Sequence, residues 1–241
     1  MARQELPPKP DFMLKKTVLT FAFLTVMTTF YGFNARYGVP AVSPGIDSAT
    51  YSNPLLREGD YVISAYDVLI RNISEQEGHD WRLLSAIAYH ESRFRADLIS
   101  RQGARGLMQI MPSVARHFSV SAEQASDPET NVWLANQLLT SIDRSLRLPA
   151  GTPERDRMSL LLAAYNGGIG HVKDARRLAV AHGENPDSWE VVARYLQLES
   201  DPAYYEHEVV TCGRFTGSGR TLAYVDNVLR RYEKYCRMAA R

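Results

Sequence analysis

Cysteine is scarce: among 241 residues only Cys212 and Cys236 carry thiols. That excludes a small disulfide-stapled scaffold. An excess of one charge is missing as well. Lysine and arginine total 28 against 27 aspartates and glutamates, a formal net charge of +1. Nothing electrostatic therefore calls for a nucleic-acid partner, and no nucleic acid is expected. The basic residues near Arg230, Arg231 and Lys234 fit a solvated helix face. The six histidines form no ligand-spaced pair, so neither a metal nor a cofactor is expected, and a metal-dependent amidase is disfavoured. Convincing alternating strand runs and fixed-period repeats are absent too.

One long hydrophobic run is present. After a short segment (residues 1–16) ending in Lys15 and Lys16, residues 17–35 carry no charge. A positive flank before such a run fits a membrane anchor or a secretory signal. Its length is near the short end of the roughly 17–25 residues needed to span a bilayer. No clear small-x-small cleavage site follows, which leans toward an uncleaved anchor. Residues 36–58 form a linker rich in Pro, Ser, Gly and Ala. The folded domain is then 59–241, with its core about 75–200. Either version of the leader exports that domain. In an oxidising compartment Cys212 and Cys236 could form a disulfide tying the last helix to the loop before it; Cys236 also fits a plain core position on its helix stripe.

The rest is written in helical periods. Val62, Tyr66, Leu69 and Ile73 mark a first helix, ended by Gly78, and Asp80 is placed to cap the next. Asp127-Pro128-Glu129 opens a long helix through Leu146. Met158, Leu161, Leu162 and Tyr165 mark another, stopped at Asn166-Gly167-Gly168. Val172 to Ala179, Trp189 to Leu196, and Leu222 to Cys236 complete the set. At most a small hairpin fits between Phe94 and Met108. The fold class is mainly α.

Chemistry concentrates in residues 89–112. Trp81, Leu84, Ile87 and Ala88 form an apolar stripe, and Glu91 falls next on it. Burying a carboxylate without a partner is costly, and the usual escape is a raised pKa. A carboxyl group so tuned can act as a general acid toward a glycosidic oxygen. Beyond it Gly103 and Gly106 bracket a turn, and Gln109 is a lone amide in the apolar run 107–111 before Pro112. Alone, this pattern also fits a frayed helix end, a glycine loop and a second short helix.

Three pieces in order say more. Glu91-Ser92, then Ser100 with residues 103–112 (GARGLMQIMP), then Ala164-Tyr165-Asn166-Gly167-Gly168 resemble the catalytic segments of lytic murein transglycosylases with an SLT-type domain, relatives of lysozyme. The resemblance covers about residues 75–235, looser after Asn166. It implies a lysozyme-like helical fold and peptidoglycan strands as substrate. Glu91 would protonate the leaving oxygen of the MurNAc-β-1,4-GlcNAc bond and then, as carboxylate, deprotonate the C6 hydroxyl that closes on C1, giving a 1,6-anhydroMurNAc end. It further implies sugar contacts for Ser100 and Gln109, a cleft wall at Met111, and a Tyr165 hydroxyl near the catalytic carboxyl, with Asn166 beside it and Ser92 orienting the glutamate. Met111 and Tyr165 also fit plain core positions, and Asn166 a helix C-cap; for Tyr165 and Gln109 the motif favours function. The implied place is the periplasmic side of the cell envelope.

Two alternatives stand beside this reading. A goose-type hydrolytic muramidase would need a second carboxylate, roughly 5–9.5 Å away; Asp97 lies in a polar turn, and no other acid sits in a recognisable motif. A non-catalytic peptidoglycan-binding scaffold is the other. One departure bears on it: family members often carry glutamate before Thr-x-x-Tyr-Val, and here Arg220 precedes Thr221 and Tyr224-Val225.

Overall fold

A computed structural model of the chain describes residues 62–239, all within one compact unit (46–241). The expected anchor (17–35) and linker (36–58) lie outside the described residues. Among the latter, no helix is long and apolar enough to cross a membrane.

The order is α1 (Asp67–Gln76), α2 (Trp81–Ser92), α3 (Pro112–His117), a 3-10 turn (Gln124–Ser126), α4 (Pro128–Leu146), α5 (Glu154–Gly167), α6 (Ile169–Ala181), α7 (Trp189–Leu198), α8 (Pro202–Tyr205) and α9 (Ser218–Ala239). The mainly α expectation holds. The small hairpin shrinks to two isolated antiparallel bridges, Ile99 with Arg105 and Arg105 with Ile110, and no strand forms among the described residues.

Most boundaries follow the local chemistry. The Asp80 carboxylate accepts from the Arg82 amide at the start of α2. Asp127 accepts from Thr130 N before Pro128 opens α4. These caps occupy amide donors that have no partner within the helix. The first helix begins later than its apolar spacing suggests, and Val62 is 53% exposed. The Asp67 carboxylate accepts from the amides of Ile63 (2.7 Å) and Ser64 (2.9 Å), so the chain enters through a turn.

α2 sits in the middle of the domain. Leu84, Ala86, Ile87 and Ala88 are fully buried, and α1 and α9 pack on the helix. α9 runs antiparallel to α2. The Tyr232 hydroxyl donates to Asp80 Oδ2 (2.9 Å) at one end, and Tyr224 meets Glu91 at the other. Between them the Tyr89 ring is flanked by the guanidinium groups of Arg231 (3.5 Å) and Arg93 (4.1 Å). α5 also packs on α9, and the ends of α2, α5 and α9 converge where Tyr165 and Tyr224 approach Glu91.

The expected disulfide is absent, and both cysteines are free. The Cys212 amide donates to Asp174 Oδ2 (2.7 Å), and its sulfur lies against Gly170 at the start of α6. Cys236 lies near the far end of α9, close to Tyr232 and Arg82. The helix rises about 27 Å from Ser218 to Cys236 at 1.5 Å per residue, so each thiol is fixed in different surroundings.

Candidate active site

Glu91 stands in the last turn of α2, recessed where α2, α5 and α9 meet. Burial pushes its carboxyl up to about 7, while a bond from the Tyr224 hydroxyl pulls in the opposite direction. The buried Tyr224 O–H lies beside Glu91 and Tyr165, at a geometry short of a full hydrogen bond. Tyr165 on α5 is the second hydroxyl. It donates to the Met108 carbonyl (2.8 Å) and lies close enough to Glu91 to be raised by its charge, after burial. No carboxylate among the described residues shifts Glu91. Asp97 is exposed and lies toward Tyr66. His90 points toward α9; burial lowers its pKa, helped by Arg231 and Arg93.

The chain leaves α2 sharply. Arg93 (φ 57°) and Phe94 (φ 60°) are both left-handed, a conformation that costs energy without glycine. Ser92 supports that turn: its buried hydroxyl donates to the Ala88 carbonyl and accepts from Arg95 N, both at 3.2 Å. Its bonds are thus to backbone, away from the carboxyl. Ser100 Oγ accepts from Ala104 N (3.0 Å), closing the next turn. Gln109, also left-handed (φ 49°), donates its amide to the carbonyls of Leu98 (3.1 Å) and Gly106 (3.0 Å). Met111 is 39% exposed, just before α3. Asn166 is exposed at the end of α5 and accepts from Thr221 Oγ1 (3.0 Å).

Two residues here escaped the sequence reading. Asn131, fully buried on α4, holds the loop from beneath: its side chain accepts from Met108 N (2.8 Å) and donates to the carbonyls of Arg105 (2.9 Å) and Ala125 (2.7 Å). A Cβ at Gly106 (φ 74°) would stand 2.6 Å from that amide, so glycine is required there. Asn131 carries no motif, and only its polarity inside a helix pointed to it. Tyr224 did have a signal, its place in Thr221-x-x-Tyr224-Val225.

Comparison with known proteins bears on the family of the chain. Residues 68–187 match the Transglycosylase SLT domain. The chain is 36% identical over 178 residues to the membrane-bound lytic murein transglycosylase F of Alcanivorax borkumensis, covering 74% of this chain and 37% of that one. With the same protein of Cellvibrio japonicus it shares 40% over 156 residues, 64% of this chain and 30% of that one. The 70 kDa soluble lytic transglycosylase of Escherichia coli superposes with a TM-score of 0.48 at 26% identity, over 71% of this chain and 24% of that chain. The chain belongs to the SLT-domain transglycosylase family. It spans about a third of the length of the curated relatives it matches.

Proposed function

We propose that this domain is a lytic transglycosylase that cleaves the MurNAc-β-1,4-GlcNAc bond of peptidoglycan without adding water. The observation that carries the reading is a single recessed carboxyl, poised near neutrality and faced by two tyrosine hydroxyls rather than a second acid. Near pH 7 about half of the Glu91 carboxyls hold a proton. The protonated group gives it to the glycosidic oxygen as the bond to C1 breaks, with the N-acetyl group of the same sugar assisting. The resulting carboxylate takes the C6 hydroxyl proton as O6 bonds to C1. The proton balance closes on one residue, as general acid–base catalysis allows. Tyr224 stabilises the carboxylate stage by donating to it.

Ser100, Gln109 and Met111, on the loop held by Asn131, together with Asn166, form the sugar-binding side of this site. Ser92 positions the turn after Glu91. The N-terminal run (17–35) fits attachment at the periplasmic face of the envelope, in line with relatives named membrane-bound.

Digestion of purified sacculi by the chain, with products weighed by mass spectrometry, tests the reading. Anhydro ends are expected, falling at least about a thousandfold in Glu91→Gln, as for loss of an essential general acid. Reducing ends would make the protein a muramidase. Sacculus binding without cleavage would leave only a scaffold.

A further inference from the structure

α9 also carries a charge near the start of the face it turns toward Glu91 of α2. Arg220 lies one turn before Tyr224, and residues four apart share a helix face. Since Tyr224 meets the Glu91 carboxyl, the same face leads from the carboxyl to Arg220. Arg220 is exposed, and among the described residues its guanidinium makes no hydrogen bond or ion pair. The Thr221–Asn166 bond fixes this first turn of α9 beside the end of α5. A Cβ on Gly219, the residue before Arg220, would meet nothing within 4 Å, whereas Gly167 on the α5 side packs closely on Thr221 and Phe215. An unpaired guanidinium, able to donate from two nitrogens, thus stands exposed on the turn of α9 that bonds Asn166.

We propose that Arg220 is a specificity-determining residue that binds a carboxylate on the 3-O-linked substituent of the sugar held beside Glu91. The inference rests on the peptidoglycan reading above. The glycan backbone itself is neutral; its carboxylates sit on the lactyl group when the strand is bare, or on the stem peptide when it is substituted. Either presents the planar pair of oxygens that a guanidinium fork matches.

The test uses three soluble strands of equal length: peptide-bearing, bare with free lactyl carboxylates, and bare with those carboxylates converted to amides. The full chain should show a KM about tenfold lower for a carboxylated strand than for the amidated one, as expected of one partly solvated charge-assisted contact. Added salt should erode the difference. Arg220→Gln should abolish the discrimination with kcat unchanged, and Arg220→Glu should reverse it. Preference for the peptide-bearing strand assigns the stem carboxylate, and preference for the bare strand assigns the lactyl group. Equal KM on all three strands overturns the inference while leaving the transglycosylase reading intact, as does discrimination that survives in Arg220→Gln. Failure to cleave any strand overturns both.

Discussion

Two of the regions that bury carboxyl groups in this domain give them different partners. At the convergence of α2, α5 and α9, Glu91 meets only hydroxyl groups, and its pKa rises to about 7. Beneath the segment that leads into α9, Asp174 is fully buried yet surrounded by donors: Thr211 N (2.9 Å), Thr211 Oγ1 (3.2 Å), Cys212 N (2.7 Å) and the Arg177 guanidinium. Glu199 close by is intermediate. It pairs with His171 through one oxygen (2.8 Å), its other oxygen is buried without a partner, and burial raises its pKa against the pull of His171. Burial alone does not separate the candidate acid from a structural carboxyl. The number and charge of the donors do, because each donor favours the ionised form that burial opposes.

Breaking the structural side should have the largest effect on stability. Asp174→Ala strips four donors of this acceptor and takes from Arg177 its carboxylate, leaving the guanidinium only the Val209 carbonyl (2.7 Å) and Thr211 Oγ1 (2.8 Å). The loss should be about 3 kcal/mol, given a buried ion pair with one partner half in solvent. Urea denaturation measures it, and the pH dependence of any remaining activity should be unchanged.

Glu91→Gln should act in the opposite sense. With a folded pKa near 7 against 4.5 when exposed, Glu91 binds its proton more tightly in the folded chain. Its contribution is therefore fully present below pH 4.5 and is lost as pH rises toward and through 7. The glutamine variant should match the parent near pH 4 and exceed it by on the order of 2 kcal/mol at pH 8. Thermal melts across that range give the answer; a constant offset would count against the raised pKa.

Tyr224→Phe is the finest probe. It removes the donor that lowers the Glu91 pKa, so the alkaline limb of kcat/KM should move to higher pH. The rate at the optimum should fall only about tenfold, because one hydroxyl contact is lost. A limb shifted downward would show that Tyr224 does not donate to Glu91.

Local chemistry was legible at several points. Asp80 and Asp127 announced helix starts because a short carboxylate before an apolar period has little better to do than cap. Glu91 was visible because a charged residue continued an apolar stripe. The start of α1 was misplaced because Asp67 satisfies amides N-terminal to itself, a preference that apolar spacing does not encode. The disulfide failed because two cysteines in one compartment say nothing about separation, and a straight helix lies between them.

The amino-acid order by itself determined the helical class, most helix boundaries and the identity of the candidate acid. These depend on residues within about four positions of one another, where helix geometry dictates who meets whom. Only the tertiary structure decided what surrounds that acid. Tyr165 lies 74 residues beyond Glu91 and Tyr224 lies 133 beyond it, so packing of α5 and α9 had to place their hydroxyls. It also decided that Asn131 holds the loop and that Arg220, one turn before Tyr224, is exposed and unpaired, because burial and pairing are properties of what the folded chain brings alongside.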